Sequence, residues 1–241
     1  MSERFLRAEM LLGDKALAKL NNSRVAVFGL GGVGSWCAEA LCRGGVGTLG
    51  LIDCDTVGES NTNRQLCATS SAIGRAKAEV MAERLRDINP EVKLLPLVAR
   101  YEAENRELFF TQNWDYIVDC IDLVACKLDL IETAQSRNIP IISALGTGNK
   151  LDAELLQITD ISKTKNCPLA RVVRKELHHR GINHLCVVYS PELPIKPQAA
   201  EEEPPPGRRS IPGSVVWVPA TAGMLMCGRV IKDLIARANA L

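Results

Sequence analysis

Short apolar runs alternate with longer amphipathic segments along the first 150 residues of the chain. The apolar runs predict strands at 25–28, 48–52, 92–98, 116–121 and 140–143, and the segments between them predict helices at 33–43, 75–88, 103–111 and 124–137. Strands that alternate with helices are typical of a parallel sheet covered by helices on both faces. The pattern therefore predicts an α/β fold, with a Rossmann-like, doubly wound and mostly parallel sheet.

The regular alternation ends after Gly146. Apolar runs at 155–159, 186–190 and 215–218 predict three more strands, which we expect to extend the same sheet in antiparallel fashion. A basic helix is predicted at 168–180, since a proline suits its first turn and a glycine its end. We expect a single domain over 1–241, with a nucleotide-binding half at about 1–150 and a C-terminal extension at 151–241.

The segment 191–212 holds seven of the twelve prolines, and three consecutive glutamates follow Ala200. This composition predicts an extended, mobile loop rather than packed structure. The apolar stretch 215–227 is shorter than the ~20 residues of a membrane span and contains Pro219. It predicts a buried strand followed by a core helix from about residue 222, with no membrane contact.

Composition adds a prediction about compartment. The chain has 241 residues, 46% of them hydrophobic, a net charge of +1 and nine cysteines. Its first residues do not resemble a secretion signal, so the cysteines are expected to be reduced thiols and the location cytoplasmic. A net charge near zero neither requires nor excludes nucleic acid, because a local basic patch is sufficient.

A glycine-rich turn follows the first predicted strand directly. Gly29, Gly31 and Gly34 match the G-x-G-x-x-G pattern, and Asp53 ends the second strand 19 residues after the last of these glycines. Such a turn brings backbone amides and a helix N-terminus to phosphate, and the acidic residue suits a ribose. These features predict an adenine nucleotide and leave open whether it is a dinucleotide.

Three charged residues exceed what a dinucleotide needs. Arg64 and Lys77 follow the second strand, and Asp122 follows the strand at 116–121. A helix N-terminus can satisfy a pyrophosphate without metal, whereas a triphosphate with magnesium needs further cations and an acidic ligand. Each residue alone is more often a solvated charge or a helix cap. Together, at the carboxyl ends of parallel strands, they favour ATP with Mg²⁺.

These motifs resemble those of the ThiF/MoeB/HesA superfamily, relatives of the ubiquitin-activating enzymes that adenylate a carboxylate with ATP. The resemblance rests on segments 29–35, 53–55, 60–65 and 119–122 and on Lys77, and it covers about residues 4–160. Segments 61–65, 77–90 and 160–164 are similar to the tRNA threonylcarbamoyladenosine dehydratase branch. That branch uses ATP to activate the carboxylate of a modified tRNA adenosine, which then closes into a ring.

The resemblance implies roles for individual residues. Asp53 would bind the ribose, Asn61, Arg64 and Lys77 the phosphates, and Asp122 the magnesium ion, with Arg64, Lys77 and Asp122 acting in catalysis. The residues expected to bind the nucleotide are Gly29, Gly31, Gly32, Gly34, Asp53, Asp55, Asn61, Arg64, Gln65 and Lys77. Arg7 would reach the nucleotide of a partner subunit, which implies a homodimer. Further implied partners are tRNA carrying threonylcarbamoyladenosine and sulfur-transfer accessory proteins.

The predicted helix at 168–180 carries a row of basic residues. Arg171, Arg174 and Lys175 share one face by their spacing of three to four residues, and we expect them to face solvent and contact tRNA phosphates. Arg208 and Arg209 could add a second contact. A solvated helix face is the simpler interpretation of such a row in a chain without the resemblance.

The cysteines bear on two alternatives. Relatives that activate a sulfur-carrier protein often contain two Cys-x-x-Cys pairs, and this sequence contains none. Cys167, near two lysines, is the first candidate for a thiol nucleophile, although intramolecular ring closure needs none. Activation of a ubiquitin-like sulfur carrier and a dinucleotide-dependent oxidoreductase remain as alternatives to the tRNA-modifying enzyme.

Overall fold

One seven-stranded sheet runs through the protein, described here by a computed structural model that covers residues 3–198 and 212–238. Its strands are β1 (Arg24–Phe28), β2 (Thr48–Ile52), β3 (Lys93–Leu97), β4 (Tyr116–Asp119), β5 (Ile141–Ala144), β6 (Gln157–Asp160) and β7 (Cys186–Tyr189). They lie in the order β3-β2-β1-β4-β5-β7-β6. The sheet includes strands from both the 1–150 half and the C-terminal extension; the separate roles of these two parts stay a prediction.

All neighbouring strands are parallel except β6 and β7, which are antiparallel. This confirms the predicted fold class. The expected direction of β7 was wrong, because β7 pairs in parallel with β5. Val187, Val188 and Tyr189 are buried, as suits an inner strand covered on both faces, whereas β6 forms the partly exposed edge.

Helices cover both faces of the sheet. They are α1 (Leu6–Leu12), α2 (Asp14–Asn21), α3 (Gly34–Arg43), α4 (Lys77–Ile88), α5 (Val124–Ser136), α6 (Pro168–His179) and α7 (Trp217–Ala238). The sequence pattern did not predict α1 and α2. The short helix predicted at 103–111 is a 3-10 helix over Ala103–Phe110.

The predicted strand at 215–218 is wrong, because α7 already begins at Trp217. Pro219 lies in the first turn of this helix, where backbone N–H groups have no intrahelical partner and a proline is tolerated. The proline therefore marks the start of the helix and does not interrupt it. None of the helices in residues 3–198 and 212–238 combines the length and apolar character that a membrane span needs.

The core consists of two apolar layers, one on each face of the sheet. Val25 and Val27 point into the layer formed with α3, α4 and α7. Ala26 and Phe28 point into the opposite layer, formed with α5 and α6. Consecutive strand residues face opposite sides of the sheet, so β1 is buried on both faces. The carboxyl end of β1 leads into the glycine-rich turn at one edge of the sheet.

Candidate active site

The glycine-rich turn joins β1 to α3 and has little room for side chains. Gly29 has a φ of +86°, and a Cβ there would lie 2.6 Å from the carbonyl oxygen of Cys120. A Cβ at Gly34 would lie 1.8 Å from the carbonyl oxygen of Gly29, so helix and strand approach closely. At Gly31, by contrast, the nearest atom within 4 Å is Nε2 of Gln65 at 3.9 Å. The glycine-rich turn is therefore tightly packed at Gly29 and Gly34 and has free space at Gly31.

Asp53 holds this turn from the end of β2. Its Oδ2 accepts a hydrogen bond from the Leu30 amide at 2.6 Å, and its Oδ1 accepts one from the Asp55 amide at 2.8 Å. Burial raises the pKa of the Asp53 carboxyl, and the nearby positive charge of Lys77 partly offsets that rise. The carboxylate thus orders the backbone that would face a nucleotide.

Lys77 is the first residue of α4 and is almost completely buried, at 5% exposure. Its Nζ lies 3.2 Å from Oδ2 of Asp55, and its amide donates to the Asp55 carbonyl oxygen at 3.0 Å. A buried ammonium is costly unless it is paired. Asp55 supplies that pair from the loop after β2, so the cation is fixed beside Asp53.

The turn at 59–65 carries the next group of predicted residues. The Asn61 side chain accepts a hydrogen bond from the Gly58 amide at 3.1 Å and so shapes the turn. The guanidinium of Arg64 donates to the carbonyl oxygen of Ser60 at 2.8 Å and to Oδ1 of Asn63 at 2.9 Å. Arg64 therefore rests on its own turn, and it must exchange these acceptors to bind a phosphate.

The side chains of Gln65 and Arg64 both lie close to the glycine-rich turn, at Gly31 and Gly32 respectively. Gln65 is 8% exposed, and its buried Oε1 has no hydrogen-bond partner. A Cβ at Gly32 would lie 3.2 Å from Cβ of Pro219 and 3.7 Å from Cγ of Arg64. An orphaned buried amide oxygen beside an open turn fits a polar ligand that completes it.

Asp122 lies exposed in the segment between β4 and α5. The segment reaches the glycine-rich turn through Cys120, whose amide donates to the Phe28 carbonyl oxygen at 2.7 Å. Three polar side chains on the neighbouring elements β4, α5 and β5 are completely buried, namely Asp119, Lys127 and Ser143. Lys127 could not be recognised from the sequence as a residue of this region, because a lysine on an amphipathic helix is normally solvated.

Most predicted site residues therefore meet at the carboxyl ends of β1, β2 and β4, where parallel sheets bind ligands. Polar contacts join Leu30 to Asp53 and Lys77 to Asp55. Cys120 and Arg64 lie close to Gly29 and Gly32. Arg7 lies exposed on α1. The residues present fit a nucleotide with phosphates: open backbone at Gly31, a fixed cation at Lys77 and an unpaired acceptor at Gln65.

The donor set also fits a magnesium ion bound with phosphate. Within the described ranges, one group of three potential metal ligands was found, namely Asp53, Cys54 and Asp55, whose ligand atoms lie within 4.8 Å of one another. Both carboxylates of that group already hold backbone amides or Lys77. Asp122 lies outside the group, so an ion there would take its other ligands from phosphate oxygens and water, as Mg²⁺ commonly does.

The basic helix α6 differs from the expectation at one residue. Arg171 and Lys175 are exposed, but Arg174 is half-buried and turns inward. Its Nη1 donates to Oγ1 of Thr164 at 2.5 Å and to the Thr164 carbonyl oxygen at 3.0 Å. The prediction that Arg174 faces solvent was wrong, because the 161–164 turn folds over it. Arg208 and Arg209 lie outside the described residues, as does the 199–211 part of the loop predicted at 191–212.

Cys167 is a poor nucleophile in this structure. It is 3% exposed, and its Sγ accepts a hydrogen bond from the Ala170 amide at 3.4 Å at the start of α6. The thiol therefore caps a helix. Burial raises the pKa of several other thiols, including Cys42 and Cys67, both to about 11. These thiols are protonated at neutral pH.

Comparison with known proteins agrees with the motifs. The tRNA threonylcarbamoyladenosine dehydratase of Bacillus subtilis is 41% identical, with 98% of this chain and 96% of the relative covered. The crystal structure of E. coli tRNA N6-threonylcarbamoyladenosine dehydratase, TcdA, in complex with ATP superposes with a TM-score of 0.89 at 35% identity, covering 99% and 96% of the two chains.

A protein of another activity matches over a shorter length. The adenylyltransferase and sulfurtransferase UBA4 of Vanderwaltozyma polyspora is 32% identical over 155 residues, which cover 64% of this chain and 35% of that protein. The family model named ThiF matches residues 5–239, almost the whole chain. The motifs, the fold and these similarities together place the chain in the ThiF family.

Proposed function

We propose that this chain is an ATP-dependent tRNA threonylcarbamoyladenosine dehydratase. The proposal rests on the buried Lys77 ammonium, whose charge acts on Asp53, and Asp53 in turn binds the open glycine-rich turn. A fixed cation next to such a turn suits a triphosphate. Similarity to proteins of that name over nearly the full length supports the tRNA substrate. The sulfur-carrier alternative has weaker support, because its matched relative is covered over only 35% of its length.

The reaction begins with attack of the substrate carboxylate on the α-phosphorus of ATP. The bond from that phosphorus to the oxygen bridging to the β-phosphate breaks, and pyrophosphate leaves. Lys77 and Arg64 neutralise the charge that grows on the phosphates, and Lys77 does so from a position that needs little reorganisation. Arg64 first gives up its contacts with Ser60 and Asn63.

The second half of the reaction closes the ring. A nucleophilic atom of the same substrate side chain attacks the acyl carbon, and AMP leaves with one of the former carboxylate oxygens. The net change is loss of water from the substrate and conversion of ATP to AMP and pyrophosphate. The step requires no thiol of the enzyme, which agrees with the burial of Cys167.

Asp122 would hold the magnesium ion and Asp53 the ribose. When bound, the ion supplies positive charge to the phosphate oxygens. Asp122 is exposed in the segment between β4 and α5, while Asp53 binds the glycine-rich turn. The two carboxylates would therefore contact different parts of the bound nucleotide.

The tRNA would lie across the exposed basic residues of α6, Arg171 and Lys175. Arg174 is not part of this surface, because its guanidinium is engaged with Thr164. Arg208 and Arg209 stay a prediction for a second contact. Phosphate contacts of this kind contribute affinity and salt dependence without reading the sequence.

A second copy of this chain would pack against α1. Leu6, Met10 and Leu11 on this short helix are 56%, 75% and 88% exposed, an unusual arrangement for apolar side chains that stay in water. Arg7 lies on the same helix and would reach the nucleotide of the partner subunit. Sulfur-transfer accessory proteins stay a prediction. A cytoplasmic location is consistent with nine free cysteines.

The experiment is a pyrophosphate-release assay with three candidate substrates. We expect release with tRNA that carries threonylcarbamoyladenosine, and none with the same tRNA lacking that modification or with a ubiquitin-like carrier protein. Release with the carrier protein alone would support the alternative and contradict the proposal.

A further inference from the structure

Lys127 is a charged residue with no access to solvent. Its side chain is 0% exposed, and so is that of Asp119. The Nζ atom donates to Oδ2 of Asp119 at 2.7 Å, to Oγ of Ser143 at 3.1 Å and to the carbonyl oxygen of Ala144 at 3.1 Å. Three acceptors match the three protons of the ammonium, so the cation is fully satisfied.

Stability alone does not account for such a pair. Removing two charges from water is costly, and apolar residues of similar volume are often as stabilising as a buried ion pair. The neighbouring core already contains apolar side chains such as Ile117, Leu130 and Ile142. The charged network in this apolar core therefore indicates that the groups around it must be held in one arrangement.

The network joins two strand ends at the candidate site. Oδ1 of Asp119 accepts the Ile121 amide at 3.0 Å, which sets the path of the chain into Asp122. Ser143 Oγ donates to Oδ2 of Asp119 at 2.5 Å, and Ala144 ends β5. Lys127, from α5, therefore fixes the segment that carries Asp122 against the end of the next strand.

We propose that Lys127 is a positioning residue for Asp122: the ammonium locks the Asp119 carboxylate, and this carboxylate holds the 120–122 backbone in the orientation that a magnesium ion with ATP requires. The inference rests on the proposed role of Asp122. A buried residue of α5 thus sets the position of the metal ligand, and it acts through the Asp119 carboxylate.

The first test measures backbone order without any ligand. Lys127→Met removes the charge at similar length, and we expect amide hydrogen exchange at Ile121 to rise by at least about tenfold. The matched control is Tyr116→Phe, which removes the partly buried hydrogen bond from Tyr116 to Asp233 at the opposite end of the same strand. That control should lower thermal stability and leave exchange at Ile121 unchanged.

The second test measures ATP affinity with and without Mg²⁺ by calorimetry. In Lys127→Met, we expect the gain in affinity from Mg²⁺ to fall about tenfold, the size found when a residue supporting a metal ligand is removed. Affinity without Mg²⁺ should change less than twofold. Because no tRNA is present, a failure of the tRNA proposal leaves this result intact.

A third variant keeps the test decisive if Lys127→Met does not fold. Ser143→Ala retains the ion pair and removes only the hydroxyl that bridges it, so both effects should appear in the same direction and be smaller. If exchange at Ile121 and the Mg²⁺ effect in the folded variants equal those of Tyr116→Phe, the proposal is overturned. Loss of ATP affinity that is equal with and without Mg²⁺ would also overturn it.

Discussion

The Nζ atom of Lys77 lies 3.2 Å from Oδ2 of Asp55, and the two side chains differ greatly in exposure, at 6% and 60%. The cation is held in the protein while its partner faces solvent. In the proposed reaction, a phosphate that enters at the glycine-rich turn would therefore meet a positive charge already in place. Because that charge is oriented before the reaction, it would stabilise the proposed transition state without reorganisation.

Lys77→Ala should lower the rate of adenylation by about 10²-fold, the loss typical when one charge-stabilising donor is removed. Folding should be little affected, since the carboxylate left behind is already exposed. Pyrophosphate release under single-turnover conditions measures the effect. Lys93→Ala, at an exposed lysine of β3, is the control and should keep the normal rate.

Asp122→Ala should lower the turnover number by at least about 10²-fold and weaken ATP binding much less, because a metal ligand acts mainly as charge develops in the transition state. Kinetics and calorimetry in parallel separate the two effects. Asp87→Ala, at an exposed position of α4, is the matched control. Near-normal turnover in Asp122→Ala would remove this residue from the site.

Neutralising Arg171 and Lys175 together should weaken tRNA binding and reduce its salt dependence by about 0.7–0.9 log units per lost phosphate contact. ATP affinity should stay the same, because the nucleotide residues lie on other elements. A salt titration of tRNA affinity measures this slope. Equal slopes in the wild type and the double variant would mean that α6 is only a solvated face.

Arg174→Ala should behave differently from its neighbours on α6. It removes the hydrogen bonds to Thr164, so we expect a loss of about 1–3 kcal/mol in the free energy of unfolding. The salt slope of tRNA binding should match that of the wild type. A reduced salt slope without a loss of stability would mean that Arg174 contacts tRNA.

Glu39 gives the protein a pH-dependent contribution to stability. Burial alone would raise the pKa of this carboxyl, but hydrogen bonds from Arg84 and Arg43 outweigh burial and hold the pKa below its usual value of 4.5. The contribution is therefore present above pH 4.5 and is lost as the pH falls through the lower pKa of the folded state.

Denaturant unfolding of the wild type and Glu39→Gln checks this account of Glu39. At neutral pH, we expect the variant to be less stable by about 1 kcal/mol, since both arginines are partly exposed. The difference should shrink as the medium is acidified below pH 4.5. A difference that stays constant over that range would assign the effect to packing instead of charge.

The strand ends and the glycine-rich turn could be predicted because their signals are local. Apolar runs locate β1, β2 and β4, and parallel strands bring their carboxyl ends to one edge. Gly29 directly follows the last residue of β1, and Asp53 directly follows the last residue of β2. The segments after β1, β2 and β4 therefore lie at one edge of the sheet, while the binding roles of their residues stay a prediction.

Other features depended on contacts distant in sequence. Lys127 lies on a helix where a lysine normally reaches water, and only its approach to Ser143 and Ala144 makes it a buried cation. Arg174 has the spacing of its exposed neighbours, but the 161–164 turn accepts its guanidinium. Pro219 suggested a break, whereas a proline in the first turn is compatible with a helix that begins at Trp217.

The most direct test of the central claim follows the oxygen atoms of the substrate carboxylate. Modified tRNA labelled with ¹⁸O in that carboxylate is incubated with the protein, ATP and Mg²⁺, and the AMP released is analysed by mass spectrometry. Adenylation followed by ring closure predicts one ¹⁸O atom in the phosphate of AMP for each cyclised nucleoside. Cyclised nucleoside with unlabelled AMP, or labelled phosphate in place of AMP, would contradict the account.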